Sequence, residues 1–144
     1  MAVLNTIDKE IIRELTRNGR LTNRELGAIV GLSPNAAGAR VQKLIDREVI
    51  TGFHAAINYA ALGQPIEASV DLWQNTPQDS EALSRVVADD DRITECFHPT
   101  GPVDYRLRVR VASPEDLNDL LHRLRDEGNS RQTDSRLILE RIET

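Results

Sequence analysis

The chain has 144 residues, 40% apolar and 3% aromatic, with a formal charge of −5. That length fits one ordinary domain or two small ones, with a core built from Leu, Ile, Val and Ala. The net charge argues against a uniformly basic nucleic-acid binder, the lone Cys96 excludes an intrachain disulfide framework, and no stretch is long and apolar enough to span a bilayer.

The charge is unevenly spread. Residues 1–58 carry 8 Lys+Arg against 6 Asp+Glu, a balance of +2, while the remainder carries 10 against 17, a balance of −7. A slightly basic head and an acidic body imply different partners. The N-terminal "MAVLNTIDKE" lacks the basic and apolar regions of a signal peptide, so the expected compartment is the cytoplasm, with no membrane partner.

The first helix is predicted over about Thr6–Arg17, where Ile7, Ile11, Ile12 and Leu15 form one apolar stripe. Asn18-Gly19 should end it, with glycine as a left-handed cap. "TNRE" offers Thr22 as N-cap and Glu25 three residues on, a capping box, and the helix that follows carries Leu26, Ile29 and Val30 before stopping at Gly31. Ser33-Pro34 restarts a helix, Ser as N-cap and Pro where no donor is missed. Ala37, Val41 and Leu44 face inward, leaving Asn35, Ala39, Arg40 and Lys43 to point elsewhere. "VITGFHAAI" (49–57) is β-prone with Gly52 at its centre and reads as a small hairpin or wing, and "NYAALGQP" as a linker.

This order of elements is a winged helix-turn-helix. The run "SPNAAGAR" then has a physical purpose. A recognition helix enters the major groove by its N-terminal residues, where Asn35, Ala36, Gly38 and Ala39 keep that face low and the capping Ser33 is a further candidate DNA contact. Asn35 suits adenine and Arg40 guanine, while Lys43 and Arg47 suit phosphate. Gly38 fits either a close approach or a surface site without demand. The bland alternative is an ordinary three-helix bundle.

The second half alternates by type. "IEASVDLW" (66–73) is a strand with Ile66, Ala68, Val70 and Leu72 on one face, "PQDSEALSRVVADDD" a helix carrying Leu83, Val86 and Val87, and "RITECFH" a strand. After the turn "PTGPVD", "YRLRVRV" is a strand with Tyr105, Leu107, Val109 and Val111 on one face. "SPEDLNDLLHRLRDEG" is a helix capped by Ser113 with Leu117, Leu120, Leu121 and Leu124 inward, and "TDSRLILERI" is the last strand. The order βαββαβ is ferredoxin-like, so the fold class is α+β: head 1–58, linker 59–65, body 66–144. First and third strands are neighbours in such a sheet. Glu67 and Asp71 can therefore pair across strands with Arg106, Arg108 and Arg110, as a solvated face or as a polar part of a dimer interface.

The chain resembles the Lrp/AsnC (feast/famine) family over nearly its whole length. "IDKEIIRELTRNGRLTNRELGAIVGLSPNAAGARVQKLIDREVITGF" is similar to the family's DNA-binding head, and "FHPTGPVDYRLRVRV" to its G-x-x-D-Y hairpin. The resemblance implies a transcription regulator bound to double-stranded DNA. It implies a homodimer, often a tetramer or octamer, that responds to a small molecule, usually an amino acid. Three places depart from the family pattern. Glu48 stands where a Gly is common, so the end of its helix should be capped differently. "NAAGAR" is poor in polar side chains, which points to partial readout through DNA shape. "EGNSRQTDS" carries Thr133 and Ser135 in place of a Thr-x-Thr pattern.

The effector reading has its own chemistry. Gly101 frees φ in a tight turn whose backbone donors suit a carboxylate, beside Thr100, and Asp104 suits an ammonium; both glycine and aspartate equally serve to shape the turn. Across the cleft, the hydroxyls of Thr133 and Ser135 favour a polar or small side chain. His98 reads as a surface polar group and Trp73 as a packing residue. His54, His98, His122 and Cys96 lack metal-ligand spacing, and no catalytic set or phosphate loop is present, so neither an enzyme, a metal nor a cofactor is expected. The competing readings are an enzyme on the same body and an orphan architectural DNA binder without effector.

Overall fold

Side-chain caps decide where the helices begin. In this computed structural model, which describes residues 3–142, α1 spans Thr6–Arg17, α2 Asn23–Val30 and α3 Pro34–Asp46. Thr22 and Glu25 close a capping box: Glu25 N donates to Thr22 Oγ1 at 3.2 Å, and Thr22 N to Glu25 Oε2 at 2.8 Å. Ser33 caps α3 by accepting from Ala36 N at 3.2 Å. Asn5 and Asp8 form another box at the start of α1, Asp8 N donating to Asn5 Oδ1 at 2.9 Å. Its Asn-x-x-Asp spacing is a weaker signature than Ser/Thr-x-x-Glu.

Glycine shapes the turn between α2 and α3. Gly31 ends α2 at φ +74, and a Cβ on Gly27 would lie 2.5 Å from the Leu32 carbonyl oxygen. Elsewhere the sequence expectations need correction. Asn18, which ends α1, is extended at φ −144, and Gly19 is not among the positive-φ residues; a Cβ there would meet the Phe53 ring at 3.2 Å. Glu48 does not avoid the conformation a glycine would take. It adopts φ +55, and the backbone N–H groups of Glu48 and Val49 reach the carbonyls of Ile45 and Leu44 at 2.9 Å each. Leu26, Gly27 and Val30 take the inward face of α2, which leaves Ile29 52% exposed.

No hairpin forms over 49–57. A strand needs partners for its backbone groups, and the described residues of the head offer none; Phe53 and Ile57 stand half exposed. Tyr59–Leu62, within the expected linker, is one 3-10 turn capped by Asn58 and ended by Gly63 at φ +78. The chain divides into two units, Met1–Ala56 and Ile57–Thr144. In the head, Ile11, Leu26, Val30 and Leu44 are buried, with Ile7, Leu15 and Val41 packed around them.

The body comprises β1 (Ile66–Gln74), α4 (Ser80–Asp89), β2 (Ile93–Phe97), β3 (Tyr105–Val111), α5 (Pro114–Asp126) and β4 (Ser130–Leu137). The strands form an antiparallel sheet in the order β2-β3-β1-β4. Alternation sends Ala68, Val70, Leu72, Leu107, Val109 and Val111 to one face. There they meet Leu83 and Val86 of α4 and Leu117, Leu120 and Leu124 of α5. β4 begins three residues before Thr133 and ends at Leu137 because its partner β1 sets the register, Gln74 opposite Ser130 and Ala68 opposite Leu137. Arg92 ties β2 to α5: it pairs with Asp90 at 2.7 Å, Asp116 at 2.6 Å and Asp119 at 3.0 Å, and Asp90 also takes Arg123 at 3.0 Å.

Candidate functional site

In the head, the capped start of α3 sets out a low, open surface. Ser33, Asn35 and Ala39 are exposed and Ala36 half-buried. Ala37 and Leu44 anchor the opposite side in the core. Lys43 and Arg47 are exposed, Arg47 Nη2 donating to the Val3 carbonyl at 3.2 Å. Arg40 is held differently, its Nη1 donating to Asp8 Oδ1 at 3.0 Å. Burial would raise the Asp8 carboxyl, but hydrogen bonds from Arg40 and Asn5 and the charges of Arg40 and Arg47 hold it below the usual range. Gly38 faces α2 rather than open space: a Cβ there would meet the Asn23 side chain at 2.5 Å.

In the body, the end of β1 and the turn before β3 are stitched together. Trp73 Nε1 donates to the Pro102 carbonyl at 2.6 Å, Asp104 N to the Leu72 carbonyl at 3.1 Å, and Gln74 N to Asp104 Oδ2 at 2.8 Å. Asp104 thus shapes the turn through one carboxylate oxygen. Gly101 takes φ +118 at the tip. Beside this joint lies a cavity of about 400 Å³ lined by Gln74, Asn75, Thr76, His98, Asp104 and Tyr105, with Pro77 at its edge. His98 Nδ1 hydrogen-bonds the Asp104 carbonyl, and its ring centroid lies 5.4 Å from that of Tyr105. Gln74 Nε2 is buried without a hydrogen-bond partner.

Of the five effector residues expected from sequence, only Asp104 lines that cavity. Thr100 and Gly101 are exposed at the turn. Thr133 and Ser135 sit on β4 opposite Leu72 and Val70, so β1 separates them from Asp104 and Tyr105. Thr133 Oγ1 accepts from Arg125 Nη1 at 3.1 Å, which leaves its own O–H to donate. Gln74, Asn75 and Thr76 were not legible as site residues because they lie at a strand end with no motif around them.

The sheet face away from the helices is charged. Asp71 is nearly buried between Arg106 at 2.5 Å and Arg136 at 3.0 Å. Glu67 is ringed by Arg110 at 2.9 Å, Arg108 at 3.5 Å and Arg141. The hydrogen bonds from Arg106 and Arg141 respectively outweigh burial and lower both carboxyls. The cross-strand registers are Glu67 opposite Arg110 and Asp71 opposite Arg106. These carboxylates are therefore covered by arginine, and the side chains of Arg136 and Arg141 themselves remain exposed, those of Arg106 and Arg108 partly so.

A family model for winged helix-turn-helix DNA-binding matches residues 4–51, and one for the Lrp/AsnC ligand binding domain matches residues 68–144. The chain belongs to the Lrp/AsnC family. It is 37% identical to the HTH-type transcriptional regulator LrpA of Mycobacterium tuberculosis, over 94% of this chain and 90% of that one. Among Lrp/AsnC-like structures, Bacillus subtilis LrpC superposes with a TM-score of 0.90 at 27% identity, covering 99% of each chain. A Neisseria meningitidis transcriptional regulator solved with L-methionine gives 0.91 at 24% identity, covering 99% of this chain and 94% of that one, a likeness of fold. This Lrp/AsnC member is a helix-turn-helix transcriptional regulator with a ligand-binding domain, not an enzyme. Among its described residues no helix is long and apolar enough to cross a membrane.

Proposed function

We propose that the protein is a sequence-specific regulator, acting on double-stranded DNA in the cytoplasm, whose assembly and DNA binding respond to an amino acid. The observation that carries the DNA half is the capped, low N-terminal face of α3. Ser33, Asn35, Ala36 and Ala39 leave room for a groove wall, and Lys43 and Arg47 stand beside them for phosphate. The active unit is at least a homodimer on a pseudo-palindromic operator, because one head of this size offers few base contacts and two-fold symmetry doubles them. The head 1–58 and body 66–144 divide these tasks.

The cavity beside Asp104 supports the effector half. Asp104 Oδ2 is engaged by Gln74 N, which leaves Oδ1 for an ammonium, and the unpartnered amide of Gln74 suits a carboxylate. A zwitterion carries both groups. The L-methionine complex of the N. meningitidis regulator belongs to the same ligand class. Thr100 and Gly101, and Thr133 and Ser135 on β4, would border the ligand only where copies of the chain meet. Binding there shifts the oligomeric equilibrium and so couples the ligand to DNA.

Calorimetry with the common amino acids, on wild type and Asp104→Ala, tests this reading. One amino acid should bind wild type and lose affinity in the variant. Binding unchanged in Asp104→Ala removes the ammonium partner, and no binding by any amino acid leaves an architectural DNA binder without effector. Operator titration with light scattering completes the test: a monomer bound one head at a time would end the dimer reading.

A further inference from the structure

Arg40 is held within the head by an ion pair to α1. Asp8 Oδ1 accepts from Arg40 Nη1 at 3.0 Å while Asp8 Oδ2 accepts from the backbone N–H of Asn5 at 3.2 Å. A single carboxylate, 7% exposed, thus closes the first turn of α1 and grips α3. Arg40, Lys43 and Arg47 recur at i, i+3 and i+7, one stripe along α3. That stripe lies on the flank towards the start of α1, whereas Asn35 and Ala39 share the outward face. Asp8, Arg40, Lys43 and Arg47 wall a cavity of about 430 Å³, together with Leu4 and Asn5. Three cations against one carboxylate leave it positive. Lys43 has no hydrogen-bond or ion-pair partner among the described residues.

We infer that this cavity seats a phosphate of the DNA backbone, and that Asp8 is a positioning residue that turns Arg40 into it and away from the base edges. This rests on the DNA-binding reading and reassigns one residue within it. A guanine-reading arginine must offer two N–H groups in a free, extended fork. Arg40 has one guanidinium nitrogen committed to Asp8, on the flank of the helix. Withdrawing it would leave a buried carboxylate without its cation, the costly half of a broken pair. A phosphate makes no such demand. It accepts from several donors at once, and its charge is met by the side chains already gathered here. Base reading then falls to Asn35 and the small residues beside it, and to DNA shape.

The test uses the full chain, an operator duplex obtained by selection from random sequence, and a random duplex of equal length, each titrated over a range of salt. Arg40→Ala should weaken both duplexes by the same factor and lower the salt slope by about 0.9 per head. Asp8→Asn should weaken both duplexes alone and add nothing when Arg40 is already Ala, because Asp8 acts through Arg40. A purely structural role for Asp8 would add to the loss, and that result overturns the positioning claim. Circular dichroism melting checks folding; if Asp8→Asn is unfolded, the Arg40→Ala ratio decides. A loss of about tenfold or more on the operator alone makes Arg40 a base reader and overturns the inference while the DNA-binding reading stands. No binding of either duplex by wild type overturns both. An Arg40-dependent melting shift with inorganic phosphate at matched ionic strength, without effect of Arg40→Ala on DNA, marks a free-anion site and likewise overturns the assignment.

Discussion

The head core buries Ile11, Leu26, Val30 and Leu44, whereas the body buries eleven apolar side chains between one sheet face and two helices. The head makes up the difference with backbone chemistry: boxes at Asn5–Asp8 and Thr22–Glu25, the Ser33 cap, and a turn that only Gly27 fits. The body adds ion pairs, with Asp90 and Arg92 at one end of the sheet and Glu67 and Asp71 on its charged face. A small domain that must keep one helix face open has little apolar area to spare, so single backbone contacts decide its shape. A layered domain can spread the same task over many contacts.

The largest expected effect is in the body core. Leu107 is fully buried at the centre of β3. Leu107→Ala should cost about 2–5 kcal/mol in chemical denaturation, with hydrogen exchange accelerating throughout 57–144. A loss well under 1 kcal/mol would show that the layered core is not what holds the body. Next is the head turn. Gly27→Ala sets a Cβ against the Leu32 carbonyl oxygen, so the backbone must shift and stability should fall by about 1–3 kcal/mol, with DNA binding lost in step. Retained stability and DNA affinity would mean that the turn relaxes freely, and the contrast between the two units would fail.

The features legible in the sequence are those with a local period or a fixed spacing. The apolar stripes of α1 and α5, the strands β1 and β3 and the caps at Thr22, Ser33 and Ser113 all stand where their patterns put them. The cross-strand partners Glu67–Arg110 and Asp71–Arg106 were legible too, since alternation and strand order fix them once the topology is known. The contacts that were not legible share a cause, dependence on residues far away in the chain. Gly19 answers to Phe53, Gly38 to Asn23 and Arg40 to Asp8. Trp73 read as a packing residue, yet its indole N–H fixes the turn at Pro102. The cavity beside Asp104 is assembled from a strand end and a turn, and no spacing rule joins Gln74 to His98.

Acid should separate the units more gently. Hydrogen bonds from Arg92 above all, and also from Arg123, outweigh the cost of burying Asp90 and lower its carboxyl from the ordinary 3.8 to about 2. A carboxyl depressed in the folded state stabilises above its unfolded pKa, and that contribution is lost as pH falls through the folded one. The body should therefore keep its full Asp90 contribution above about pH 5 and lose it progressively towards pH 2. In Asp90→Asn, the melting temperature should be lower at neutral pH and should fall less steeply in that acid window. An acid slope identical to wild type would remove Asp90 from the account.

The smallest effect is a gain, and it lies in the head. Glu48 holds φ +55 just past the end of α3, where its Cβ crowds the neighbouring backbone. Glycine would adopt the same angle without that cost but would lose more freedom on folding. The balance predicts that Glu48→Gly raises stability by about 0.5–1 kcal/mol. Glu48→Ala is the control, since it removes the charge and keeps the Cβ, so it should give no comparable gain. Both variants should bind DNA as wild type does, because the turn geometry is unchanged. If glycine and alanine stabilise equally, the carboxylate rather than the backbone was the source of the strain. If neither does, the left-handed turn is carried without cost, and backbone conformation matters less to the head than its sparse core implies.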